Sequence, residues 1–313
     1  MNCNRRHLLA TALAAPLIGR ARAAESKTLR IGFQKGDPVL MAAKANRDLE
    51  TRLAPQGIEV AWTEFQFGPP LLEAMRAGSI DIGSVGDTPA VFAQAAHADL
   101  LYVAERGSPQ DAVLLPPGSK IQALSDLKGK KLAFARGSSA HNFAAMVLEK
   151  AGLHYDDIQP VYLDPADAGA AFMQGAIDAW SIWDPYYALF DSRPGVRTLA
   201  SNKDVGAQFG FFLGHGPFVR GNPALTVTVL QALAATAAGV RTHQRPVAAL
   251  LAGSTGIAPD VWARSLSRNT LQIGPVSADL ARTQQKVADR MQALGLVPAA
   301  VTVAPAVWHT EGW

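Results

Sequence analysis

The sequence predicts an α/β protein of two lobes, each a mostly parallel sheet with helices on its faces. Three observations lead there. Strand-like and helix-like segments of ordinary length alternate from Leu29 onward. A pattern of residues returns at a spacing of 97 positions. The chain has 313 residues without an uninterrupted apolar run of about 20, so it can bury a large core and shows no obvious membrane span.

The first 23 residues, MNCNRRHLLATALAAPLIGRARA, join Arg5 and Arg6 to an apolar run from Leu8 to Gly19 and a small-x-small ending at Ala21-Arg22-Ala23. This is the pattern of an export signal cut near Ala23 or Ala24, and residues 1–24 are assigned to it. The paired arginines point to the twin-arginine route, with general secretion as the alternative.

Removing that segment reverses the charge balance. It holds four arginines and no acid, so the 29 basic residues fall to 25 against 26 acidic ones, a net charge of −1. A basic nucleic-acid footprint is therefore not expected. Cys3 is the only cysteine and leaves with the signal, which removes thiol catalysis, disulfides and thiolate metal sites from consideration.

Along the first half run LRIGFQ, VLMAAKANRDLETRLA, IEVAWTEF, PPLLEAMRAG and IDIGSVG, then a helix after Asp87-Thr88-Pro89. From Lys130 the alternation resumes with KKLAFA, a helix from Ala140 to Lys150 stopped by Gly152, IQPVYLD, PADAGAAFMQG and IDAWSIW. After about Gly216 apolar residues fall at helical spacing, as in LTVTVLQALAATAAGVRTH and LARTQQKVADRMQAL. LEAMRAGSIDIGSVGDTP lies over AAFMQGAIDAWSIWDP, with Gly78 on Gly175, Asp81 on Asp178 and Asp87 on Asp184. Each copy reads as a helix stopped by glycine, a buried strand, and a turn into another helix.

A chain that leaves the first lobe must return to it, and LLYVAERG and QFGFFLGHG are the extended candidates for the crossings. Lobe 1 is placed at residues 26–106 and 215–313, and lobe 2 at 107–214.

Ligands of open α/β sheets bind beyond the carboxyl ends of the strands. GFQKGD brings Gln34 there; GSVGDTP brings Gly86, Asp87 and Thr88; ARGSSAHN brings Ser138, Ser139, His141 and Asn142. The last two precede helices, whose first-turn N–H groups form ready anion sites. Ordinary helix capping without a ligand is the competing reading. In GAIDAWSIWDPYY the alternation separates Trp180 from Trp183, and we place Trp183 in the cleft and Trp180 in the core. No HExxH, phosphate loop or dinucleotide fingerprint is present, and no metal or cofactor is expected.

IGFQKG, EFQFGPPLLEAMRAGSIDIGSVGDTPAVFAQAAHADLLYVAE, DLKGKKLAFARGSSAHN and IQPVYLDPADAGAAFMQGAIDAWSIWDPYY together give the chain a close resemblance to the aliphatic sulfonate-binding proteins of bacterial ABC importers. The resemblance implies the type II periplasmic binding protein fold: two parallel or mixed sheets with flanking helices and a two-strand hinge. It also implies a periplasmic monomer that delivers a sulfonate anion to an inner-membrane permease with a cytoplasmic ATPase. The family's pocket falls on Gln34, Gly86, Asp87, Thr88, Ser138, Ser139, His141 and Trp183, with Phe211 from the returning strand. Taurine, nitrate and sulfate remain alternative ligands, and an enzyme on the same scaffold a further one.

A sulfonate is always ionised and offers three acceptor oxygens, so its socket should hold donors only, among them Asn142. Asp87 and Asp184 are then expected to turn away as caps or latches. An inward carboxylate would favour a ligand carrying an ammonium group.

Overall fold

The computed structural model describes residues 27–107 and 109–313; the export signal assigned to residues 1–24 lies outside the described residues. The first segment runs β1 (Lys27–Gln34), α1 (Pro38–Asn46), α2 (Asp48–Leu53), β2 (Ile58–Phe65), α3 (Gly68–Arg76), β3 (Ile82–Gly86), α4 (Asp87–Ala95) and β4 (Leu100–Arg106). The second runs β5 (Asp111–Leu115), β6 (Lys131–Phe134), α5 (Ser139–Ala151), β7 (Gln159–Tyr162), α6 (Pro165–Met173), β8 (Ala179–Trp183), α7 (Tyr186–Asp191), β9 (Arg197–Ser201) and α8 (Asn202–Val205). The third runs β10 (Gly210–His215), α9 (Gly216–Gly221), α10 (Pro223–Thr242), α11 (Gln244–Thr255), α12 (Pro259–Arg268), β11 (Ile273–Gly274) and α13 (Ala278–Ala293).

The strands form two mixed sheets, ordered β11-β4-β10-β3-β1-β2 and β7-β6-β8-β5-β9. In each, three parallel strands (β2-β1-β3 or β7-β6-β8) are followed by an antiparallel one, β10 or β5. The internal echo is thus a repeat of topology. The chain leaves the first sheet after β4 and comes back to it at β10. The sequence division carried the second lobe to residue 214, but β10 is bonded on both edges inside the first sheet, to β3 and β4.

Helices cover both faces of each sheet. Leu29, Ile31 and Phe33 alternate on β1 and pack against α1, α10 and α11, while Gly32 between them turns to Leu71 of α3. A core on the opposite face joins Tyr102, Phe211 and Leu213 to α3, α4 and α13. Helix α10 is long and apolar enough by composition to cross a membrane, yet Val229, Leu230, Leu233 and Ala237 are buried in the first lobe's core. The second sheet has a core on each face, around Phe143 and around Trp180.

Local chemistry starts the elements near the cleft. Asp37 caps α1, its Oδ1 accepting the N–H groups of Val39 and Leu40 at 3.0 Å each, with Pro38 in the first turn. Gly152 ends α5 in the left-handed conformation that glycine adopts without steric cost.

Candidate functional site

Four parallel strands end at one place. Gln34 closes β1, Gly86 closes β3, Ser138 follows β6, and Trp183 closes β8. All four line a cavity of about 50 Å3 between the lobes. A water-sized group needs roughly 10–15 Å3 of such space, so the cavity has room for a head group and little more.

The two helix starts meet across it. Gly86 is the N-cap of α4 and Ser138 that of α5. A Cβ on Gly86 would lie 2.8 Å from the Ser139 Cβ, so the lobes are in contact here and only a glycine fits on the first-lobe side. First-turn N–H groups of a helix have no acceptor within it, and the aligned peptide dipoles add about half a positive charge at each N-terminus.

The candidate side chains divide by what they touch. Gln34 lines the cavity, its Nε2 donating to the Ser84 carbonyl at 2.8 Å. Ser138 lines it too, with its Oγ donating to the Ala135 carbonyl at 2.7 Å. Ser139 points a hydroxyl toward Asp111 at 3.4 Å. Trp183 is half-buried on the wall, edge-on to Tyr186, whereas Trp180 is buried among Phe172 and Phe190.

Four candidates stand behind the wall. Asp87 is buried and surrounded by donors: Thr88 N–H and Oγ1 on its Oδ1, Asn142 Nδ2 at 2.8 Å and Gln208 Nε2 at 3.3 Å on its Oδ2. These donors favour the ionised form, but burial prevails and pushes the carboxyl up to about 6. Asn142 is a bridge rather than a cavity donor, since its Oδ1 accepts from Arg290 Nη1 at 2.9 Å. His141 is buried and stacked on Phe134; Gly137 N–H donates to its Nδ1 at 3.2 Å. The proton is therefore on Nε2, 2.7 Å from the Tyr155 hydroxyl, and burial holds the imidazole down at about 4.

Phe211 is fully buried and away from the cavity. It pairs with Val85 in the sheet register and packs edge-on to Tyr102, in the core beneath α4 and α13.

Two carboxylates do line the cavity, where acids were expected to turn away. Asp184 Oδ1 accepts the Ala188 N–H at 2.9 Å, and Arg268 approaches it at 3.7 Å. Burial pushes this carboxyl up to about 7. Asp37 Oδ2 accepts from Arg106 Nη1 at 2.7 Å. Just behind, Asp111 leaves one carboxyl oxygen without a hydrogen-bond partner; burial, then the charges of Asp87 and Asp184, push it well up.

Arg106 and Asp37 were not singled out from sequence, and neither was the segment after α12, where Asn269, Thr270 and Leu271 close the cavity. Asp37-Pro38 carried a legible signal, that of a helix cap before proline. Arg106 ends a stretch taken only as a crossing. Nothing in the sequence marks residues 269–271.

Residues 45–213 match the family described as "ABC transporter, phosphonate, periplasmic substrate-binding protein". The chain is 43% identical over 294 residues to a protein of Escherichia coli (strain K12) named for binding aliphatic sulfonates, covering 92% of each. Among solved structures, it is similar to the alkanesulfonate-binding protein SsuA from Xanthomonas axonopodis pv. citri bound to MOPS. The TM-score there is 0.87 at 41% identity, covering 92% of this chain and 100% of that one. The periplasmic aliphatic sulphonate binding protein SsuA from Escherichia coli gives 0.83 at 41% identity, over 92% and 94%.

Proposed function

The chain belongs to the aliphatic sulfonate-binding proteins, within the periplasmic substrate-binding proteins of ABC transporters, and from that premise we propose that it captures alkanesulfonates between its lobes. It then hands them to an inner-membrane permease driven by a cytoplasmic ATPase. It does so as an exported monomer and not as an enzyme.

The observation that carries this reading is the meeting of the α4 and α5 N-termini at Gly86 and Ser139. A sulfonate has three acceptor oxygens and no proton to give. The Asp87 N–H that opens α4, the first-turn N–H groups of α5 and the Gln34 amide are donors arranged from three sides of such a head group; in α4, Pro89 has no N–H and the Thr88 N–H goes to Asp87 Oδ1. Gly86 and the Ser138-Ser139 turn thus form the head-group socket. Trp183, with Val39 and Leu271, supplies apolar wall for the first carbons of the tail. Asp87, Thr88, His141 and Asn142 act indirectly, by fixing the two turns and the closed lobes.

Asp184 on the wall favours a second reading, an aminosulfonate such as taurine whose ammonium meets that carboxylate. Isothermal calorimetry of the mature protein with methanesulfonate, ethanesulfonate, butanesulfonate and taurine tests both. Micromolar or tighter binding of the simple alkanesulfonates, about −8 kcal/mol, supports the first. Heat from taurine alone supports the second, and heat from neither, with clear binding of nitrate, rejects the sulfonate class.

A further inference from the structure

We propose that the Asp37–Arg106 pair, with Asp184 on the facing wall, makes the cavity a filter for charge, admitting a tetrahedral head group with one negative charge and refusing one with two. The inference rests on the sulfonate reading and deepens it. It bears on a choice left open by chemistry, because a sulfonate and a phosphonate have the same shape and the same three oxygens.

The positive charge facing the cavity is limited. Arg106 is the one cation among the described residues that line it. Its Nη1 is held by Asp37 Oδ2 at 2.7 Å and by Ser84 Oγ at 2.9 Å. Asp37 is 1% exposed, and its other oxygen is tied to the start of α1, so it cannot swing away to release the guanidinium. The pair is electrically neutral toward a ligand. Arg268 gives its Nη2 to Asp191 and sets its Nη1 3.7 Å from Asp184 Oδ1, and Arg290 is taken up by Glu149 and Asn142.

What remains is the two helix N-termini, each equivalent to about half a positive charge, and that of α4 already faces the Asp87 carboxyl that takes the Thr88 N–H. One negative charge is the most they can match. A second would stand in a buried space beside the carboxylate of Asp184, with Asp87 and Asp111 just behind the turns. Like charges brought together in a buried space repel strongly, and the nearby guanidiniums are already engaged, Arg106 by Asp37 and Arg268 by Asp191 and Asp184. Both family descriptions then make sense of one scaffold: the fold accepts a three-oxygen head group, and the wall charges decide which element it is built on.

Calorimetry with methanesulfonate, methylphosphonate and sulfate tests this, on the mature wild type and on Asp37→Asn and Asp184→Asn variants whose ligand-free melting is measured alongside. Methylphosphonate loses its second proton near neutral pH, so it is doubly charged at about pH 8.5 and singly charged at about pH 5.5. The quantity read is the ratio of the two affinities, in which titration of the buried Asp87, Asp111 and Asp184 is common to both ligands. The wild type should prefer methanesulfonate by roughly 100-fold or more at the higher pH and by less than about 10-fold at the lower. Either variant should raise methylphosphonate relative to methanesulfonate by about 10-fold at the higher pH. Equal affinities at high pH in the wild type, or a ratio unmoved in both variants, overturns the filter while leaving the sulfonate reading intact. Absence of methanesulfonate binding by the wild type rejects that reading and the filter with it.

Discussion

Gly86 and Ser139 touch across the lobes: a Cβ on the glycine would lie 2.8 Å from the serine Cβ. Gly86 has φ of −72°, which any residue adopts, so Gly86→Ala strains neither its own strand nor its own helix. The added methyl acts only on closure. Overpacking costs about 1–3 kcal/mol, so affinity for methanesulfonate should fall by roughly 10- to 100-fold. Calorimetry and ligand-free melting check this together, and a matching fall in ligand-free stability would place the clash inside one lobe.

Asn142 spans the cleft, giving its amide to Asp87 at 2.8 Å and taking a guanidinium N–H from Arg290 at 2.9 Å. Asn142→Ala leaves a buried carboxylate short of a donor, a loss of about 1–3 kcal/mol. Ligand release, followed by stopped-flow tryptophan fluorescence, should be roughly tenfold faster or more. An unchanged release rate would remove Asn142 from the closing contacts.

The buried carboxyls set a pH dependence whose sign is opposite to that of ordinary salt-bridged acids. Burial raises Asp184 to about 7 and Asp87 to about 6, and pushes Asp111 up as well. An unfolded aspartate titrates near 3.9. Over that window the folded chain holds more protons than the unfolded one, so stability falls as pH rises through the folded values. His141, lowered to about 4, works the other way, losing stability as pH drops below about 6.5. Three carboxyls outweigh one imidazole, so the ligand-free protein should melt higher at about pH 5.5 than at about pH 8, and Asp184→Asn should narrow the difference. A melting temperature that climbs steadily over this range would contradict the account.

Trp183 lines the cavity and stands beyond the head-group socket. Trp183→Ala should weaken butanesulfonate several-fold more than methanesulfonate, since each buried CH2 contributes about 0.8 kcal/mol. Equal losses would assign the ring to the cores it also touches on both faces of the second sheet.

The fold was legible because its repeat is written in residue types that make elements. Ile82 and Ala179 begin β3 and β8, Gly86 and Trp183 end them, and Gly68 and Pro165 begin α3 and α6, each pair 97 residues apart. The positions at strand ends were legible for the same reason: glycine, serine and a terminal tryptophan interrupt apolar runs where the chain must turn. Phe211 was harder, because a strand's alternation tells two faces apart but not which faces a cavity. Its pairing with Val85 directs it to the Tyr102 side, into the core. Arg106 and Asp37 are 69 residues apart and gain meaning only from each other, by a contact that no local pattern encodes. Asn269 to Leu271 reach the cavity because α12 packs on α11 and on α7, again a tertiary fact.

The most direct measurement is a crystal structure of the mature protein with methanesulfonate bound. The account predicts its sulfonate oxygens about 2.7–3.2 Å from backbone N–H groups in the first turns of both α4 and α5, with Asp37 still holding Arg106. A head group bound by Arg106 after that pair has parted, or seated away from the Gly86 and Ser139 turns, would contradict it.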